Sequence, residues 1–181
     1  AAADNTKKAP FVFVSLPAEG GARKLVYYEN GSPIASEIIN AEGITISAEG
    51  SIKDATYSEF YDSGAIKTVK PMAGGKPSGT VKAYYPAGIP QIEANYLAGA
   101  RNGNFVYFSE DGSPMMEAVY ANDKLNGWKK EYGPEGEVKS EIFYVNDIPA
   151  DQPQEKAAAP AATAAPKEEE SLVTAKAVKV A

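Results

Sequence analysis

A repeat of 24 residues governs what this chain can fold into. Counted from glycine, Gly79-Thr80-Val81-Lys82-Ala83-Tyr84-Tyr85-Pro86-Ala87-Gly88 falls into register with the segments that start at Gly103 and Gly127, each 24 residues after the last (103 − 79 and 127 − 103). The second halves align too: Glu93, Glu117 and Glu141 recur at the same spacing, as do Tyr96, Tyr120 and Tyr144. A more worn copy lies upstream, with Phe60 and Tyr61 before Gly64, Met72 at the Tyr96 position and Gly75 matching Gly99. Earlier still, Tyr27-Tyr28-Glu29-Asn30-Gly31 and Ser47-Ala48-Glu49-Gly50 keep the turn and lose the spacing.

Within a unit, a strand of five or six residues reaches a turn such as Pro86-Ala87-Gly88 or Glu110-Asp111-Gly112, and a second strand runs on to the aligned Tyr. Glycine accepts the positive φ that a hairpin turn or its bulge demands. Each unit is therefore a β-hairpin. A lone hairpin is marginal in water, whereas stacked hairpins pair their edges and share an apolar face. The expected fold is all-β, an elongated antiparallel meander of repeated hairpins.

Period-two alternation then sorts the side chains. Ile92, Ala94 and Tyr96 share a face with Met116, Ala118 and Tyr120 and with Ser140, Ile142 and Tyr144. The aromatic columns Tyr84, Phe108, Tyr132 and Tyr96, Tyr120, Tyr144 are expected to form the core of the repeat, with sugar binding as the alternative reading. Glu93, Glu117 and Glu141 point the other way and read as a solvated face paired across strands with Lys82 and Lys130, rather than as a cation or carbohydrate site.

An aromatic strand that ends in a Gly turn, followed by Glu, Tyr and a loop such as Asn122-Asp123-Lys124-Leu125-Asn126-Gly127, resembles the MORN-variant repeats of YwqK-type bacterial proteins. The resemblance covers roughly residues 55–150, with a weaker extension back to about residue 24. It implies an elongated sheet of hairpins and a role in protein contacts, antitoxins being among the relatives, and it carries no catalytic residue over. The third unit departs from it, ending Asn146-Asp147-Ile148-Pro149-Ala150, which suggests a capped end.

Composition narrows the chemistry. The chain has no His and no Cys, which removes the usual general base, the activated thiol, thiolate and imidazole metal sites, and any disulfide. Its net charge of −6 has the wrong sign for gripping nucleic acid or anionic lipid. Carboxylates such as Glu110, Asp111, Glu135 and Glu137 fall in expected turns, where acidic residues are ordinary, rather than as a facing pair for glycoside hydrolysis. Gly74-Gly75-Lys76-Pro77-Ser78-Gly79 lacks the spacing of a phosphate-binding loop and reads as a connection between hairpins. No enzyme, cofactor, metal or nucleic-acid partner is expected, and no run reaches the ~18 apolar residues of a membrane helix.

The ends complete the picture. The chain starts Ala1-Ala2-Ala3-Asp4-Asn5 without Met, as mature chains do after signal-peptide cleavage, so export to the extracellular space, cell surface or periplasm is expected. Residues 1–23 form an N-terminal segment whose apolar run Phe11, Val12, Phe13, Val14, Ser15, Leu16 is expected as a strand at or near a sheet edge. Residues 24–150 carry the repeat domain. Residues 151–170, rich in Ala, Pro and Glu, form a linker able to span on the order of 60 Å at ~3.1 Å per residue. Residues 171–181 turn apolar again, and Leu172, Val173, Thr174, Ala175, Ala177, Val178 and Val180 read either as a frayed tail or as one tethered β-strand. Exposed sheet edges accept strands. The expected function is accordingly a non-catalytic structural protein, a fibre or surface-layer subunit, that self-assembles by adding this strand to a neighbour. The alternatives are a monomeric, antitoxin-like protein-binding module and a carbohydrate-binding module.

Overall fold

The computed structural model describes residues 5–151, and over that range it is one sheet of 14 strands, mostly antiparallel. The N-terminal strands are β1 (Phe11–Pro17), β2 (Arg23–Glu29), β3 (Ser32–Ile39), β4 (Thr45–Gly50), β5 (Ala55–Phe60) and β6 (Ile66–Ala73). A two-residue strand β7 (Lys76–Pro77) pairs with β6 and precedes β8 (Gly79–Tyr84) and β9 (Pro90–Leu97). The array continues through β10 (Ala100–Phe108), β11 (Pro114–Ala121), β12 (Lys124–Tyr132), β13 (Val138–Val145) and β14 (Ile148–Ala150).

From β8 onward the strands follow one another in space as in sequence, which is the expected meander. Its turns close as the glycines require. The N–H groups of Gly64, Gly88, Gly112 and Gly136 donate to the carbonyls of Tyr61, Tyr85, Ser109 and Gly133 at 2.8, 2.8, 3.0 and 3.0 Å, and all four glycines have positive φ. Gly74 and Gly75 make the tight turn between β6 and β7, the connecting loop anticipated for that glycine pair.

The N-terminal part departs from the expectation. Phe11, Val12, Phe13, Val14 and Leu16 lie on a strand, but β1 is an interior strand, flanked by β2 and β5, and not an edge. The chain therefore starts in mid-sheet, runs outward to β4, and returns to place β5 on the other side of β1. The β1–β5 contact is parallel and has a single register pair, Val12↔Ser58. Burial explains the placement. Val12 and Phe13 are both buried, and an apolar run left on an edge would keep them in water.

The return also bends the sheet. In a flat sheet β4 and β5 would stand four strand spacings apart, about 19 Å at ~4.8 Å each, while residues 51–54 reach only about 18 Å fully extended. The strands β5-β1-β2-β3-β4 must curl around what they enclose: Phe13, Leu25, Tyr27, Ala35, Tyr57 and Met72, with Ile52 of the connection packed against them. Tyr27 and Tyr57 are fully buried there, ring edge to ring face at 5.3 Å.

The core of the repeats likewise differs from the expectation. Tyr84, Phe108, Tyr132, Tyr96, Tyr120 and Tyr144 are only half-buried, and the buried side chains of β8–β13 are Ala94 and Ala118. Over most of β8–β13 no second layer lies among the described residues, so the large rings pack sideways on neighbours and keep one side wet. Only the small side chains beneath them lose all contact with water. The linker 151–170 past Asp151 and the strand expected at 171–181 lie outside the described residues.

Candidate functional site: the open sheet edges and the hairpin latches

Two outermost borders end the sheet. At one end, all six residues of β4 are exposed, and the pairing Ala35↔Gly50 through Ile39↔Thr45 occupies only the side of β4 that faces β3. Antiparallel pairing turns alternate residues outward, so the other side of β4 presents N–H and C=O groups that no strand among the described residues pairs. Ile44 just before it and Ile46 within it are 64% and 65% exposed, a high value for large apolar side chains. At the other end, β14 covers only Phe143, Tyr144 and Val145 of β13, and among the described residues Val138–Ile142 have no outer neighbour. Pro149 blunts that end, because proline donates no N–H and belongs on sheet borders. Residues 146–150, which end in β14, thus cover one end of β13 and leave the rest of that border open among the described residues.

Between the borders, neighbouring hairpins are latched at intervals of 24 residues, in two places at the glycine turns and in three at the opposite ends. At the glycine turns the Tyr61 hydroxyl donates to the Tyr84 carbonyl at 2.6 Å, and the Tyr85 hydroxyl to the Phe108 carbonyl at 2.8 Å. Ser109 and Gly133 hold the equivalent positions further on and are too short for that reach. At the opposite ends the N–H groups of Gly99, Asp123 and Asp147 donate to the carbonyls of Pro77, Arg101 and Leu125 at 2.8, 3.0 and 2.9 Å. The Asp123 and Asp147 carboxylates accept from the backbone of Arg101 and Leu125 in return, at 2.9 and 2.7 Å. Sequence reasoning missed these latches, although the Asn-Asp pairs at 122–123 and 146–147 were a readable signal: all four residues have positive φ, which Asn and Asp tolerate. A neutral hydrogen bond is worth about 1 kcal/mol net. Tyr85→Phe should therefore lower unfolding stability, seen as a reduced urea midpoint at unchanged slope.

The Glu column behaves as a solvated, paired face. Lys82 bonds Glu93 at 2.8 Å and Lys130 bonds Glu141 at 2.7 Å, each pair directly opposite in register, while Glu117 accepts the Tyr132 hydroxyl at 2.9 Å. In the Tyr96, Tyr120, Tyr144 column the Tyr120 ring is covered rather than open. The Arg101 guanidinium lies 4.1 Å over the Tyr120 ring, and Phe105 meets the same ring edge-on at 5.9 Å.

One polar cluster sits inside the curl. Lys70 projects from β6 with its ammonium 4.3 Å from the Phe13 ring centre and 3.3 Å from the Tyr27 hydroxyl. Tyr27 donates to Glu37, whose other oxygen accepts the Thr45 hydroxyl at 3.1 Å. Burial, then the hydrogen bond and charge of Glu37, push the Tyr27 phenol well above its ordinary range, and burial pulls Lys70 down. For Tyr27 the folded state holds its proton more tightly than the unfolded state, so that stabilisation is complete below the ordinary value of about 10 and is lost as pH rises beyond it. Lys70 acts oppositely, since the unfolded state binds its proton more tightly. Its contribution improves with pH between its lowered pKa and the ordinary value near 10.4. Tyr27→Phe should flatten the loss of stability above pH 10 relative to wild type, checked by urea unfolding from pH 8 to 11.5. An unchanged alkaline limb would mean that Tyr27 does not ionise on unfolding in that window.

Among the described residues no group of three or more acidic side chains is placed to hold a metal ion, and no helix is long and apolar enough to cross a membrane. A family of MORN repeat variants matches residues 77–98 and 125–146. Two of the regular hairpins, β8–β9 and β12–β13, are thus similar to MORN repeat variants. The matched segments start two periods apart, and the copy between them keeps the spacing, turn and latches. MORN repeats are in general non-catalytic units that bind proteins, which fits a surface built from turns, paired charges and open strand borders. No curated protein matches the chain.

Proposed function

We propose that this chain is a non-catalytic structural subunit that binds further copies of itself, residues 171–181 of one copy adding as a β-strand to an open sheet border of the next. The observation that carries the reading is the row of main-chain groups along β4 that no strand among the described residues pairs, with Ile44 and Ile46 exposed there. Such a border is normally blunted or covered. Residues 171–181 have the composition to cover it, being rich in Val, Ala and Thr and free of Gly and Pro. An incoming strand gains main-chain hydrogen bonds from the border and fills the spaces beside it with alternate side chains. Because donor and acceptor are different parts of the chain, the contact is head-to-tail and propagates into a filament unless its rotation closes a ring.

Deleting residues 171–181 tests this. The full chain should form particles far larger than a monomer by light scattering and electron microscopy, and the deletion should leave monomers with an unchanged circular dichroism spectrum. Assembly that survives the deletion, or a full chain that stays monomeric at high concentration, would sink the reading.

A further inference from the structure

Resting on that reading, we propose that the acceptor is the β4 border, selected over the β13–β14 border by charge, and that its occupant is the basic strand 171–181 of a second copy. From Leu25 to Ile52 the sequence contains Glu29, Glu37, Glu42 and Glu49 and no Lys or Arg. The β3–β4 pair thus carries three carboxylates and no cationic side chain of its own, while Glu29 on β2 is paired with Lys53. Residues 171–181 contain Lys176 and Lys179 and no acidic residue.

The placement of these charges matches as well as their sign. Glu37 lies opposite Ala48, and Glu49 opposite Ser36, so the two carboxylates leave the strand pair on opposite faces. Glu42 stands at the β3–β4 turn, on the rim of a groove of about 700 Å³ shared with Tyr96 and Phe105. Lys176 and Lys179 are three residues apart, so in an extended strand they also leave on opposite faces. One lysine meets Glu49; on the opposite face Glu37 is already held by Tyr27 and Thr45, so the exposed Glu42 at the turn is the carboxylate that meets the other.

The other border offers less. Its Glu141 is already paired with Lys130, Lys139 adds a positive charge, and Pro149 interrupts the donors.

Charge reversal in the full chain tests the pairing. Glu42 and Glu49 are the residues to change, because both are exposed and outside the buried cluster. At low salt, Glu42→Lys with Glu49→Lys should raise the concentration for half-assembly at least about tenfold, and so should Lys176→Glu with Lys179→Glu. Combining all four changes in one chain should restore assembly, which a folding defect would not do. Hydrogen exchange should show Thr45–Gly50 becoming protected as assembly proceeds. Three results would overturn the inference: no rescue by the fourfold variant, protection gained at 138–150 in place of 45–50, or protection at 45–50 that is independent of concentration, which is docking onto the same chain. The second result leaves the strand-donor reading intact, while failure of the full chain to assemble removes both.

Discussion

Tyr57→Ala should cost about 3–5 kcal/mol of unfolding stability, the range for removing a buried aromatic ring from a core that cannot collapse around the gap. Tyr57 has no exposed surface and meets two rings edge-on, Phe11 and Tyr27, each at 5.3 Å between centres. Its hydroxyl accepts the Lys53 N–H at 3.2 Å, a bond the alanine also forfeits. Position amplifies the loss. Tyr57 sits where β5 meets β1, and that junction has one register pair, so ring packing does there what a ladder of hydrogen bonds does between the other strands. The variant should therefore uncouple the curled N-terminal strands from the repeats. Trp128, the single tryptophan, lies on β12 and reports the repeat end, while far-UV circular dichroism reports the whole sheet. In wild type the two urea transitions should coincide. In the variant the dichroism should begin to fall before the fluorescence changes. Coincident transitions with a loss below about 1 kcal/mol would show that the enclosed tyrosines do not join the two regions.

The repeat region was legible because its information is local. A glycine turn, an alternating strand and a lysine opposite a glutamate each involve residues within one hairpin. Accordingly the turns at Gly88 and Gly112 and the Lys82–Glu93 and Lys130–Glu141 pairs stand where the sequence puts them. The position of β1 was not legible. Phe11–Leu16 announces a strand through its apolar β-branched and aromatic residues, but whether it ends a sheet or is flanked on both sides depends on where β5 goes. That was decided by the short connection 51–54 and by the burial of Tyr57, neither of which leaves a periodic mark. The aromatic columns misled for a related reason. Alternation shows which residues share a face and is silent about whether anything covers that face. Over most of β8–β13 nothing among the described residues does, and only Ala94 and Ala118 are buried there.

Gly127→Ala should be the most damaging single change among the three aligned repeat glycines, at roughly 3–4 kcal/mol. Gly79, Gly103 and Gly127 all hold positive φ, at 109°, 109° and 136°, so an alanine at any of them carries backbone strain of about 1–3 kcal/mol. What differs is the room beside them. A Cβ at Gly79 would lie 3.4 Å from the Pro71 ring, in ordinary contact, and one at Gly103 would be tight, 3.1 Å from the amide nitrogen and 3.2 Å from Cβ of Asn95. At Gly127 it would lie 2.8 Å from Cβ of Val119, an atom fixed to the backbone that no rotamer can move aside. The three neighbours are themselves 24 residues apart, because each strand bends over the one before it at a break in register, as between Ala118 and Tyr120 in the β11–β12 pair. The order of destabilisation should therefore be Gly79→Ala, then Gly103→Ala, then Gly127→Ala, with the last adding an overlap cost that relaxation of β11 only partly relieves. Urea midpoints read by circular dichroism rank them without relying on Trp128, which adjoins the altered site. Equal losses at all three positions would mean that φ alone, and not the close crossing of adjacent strands, fixes glycine in this repeat.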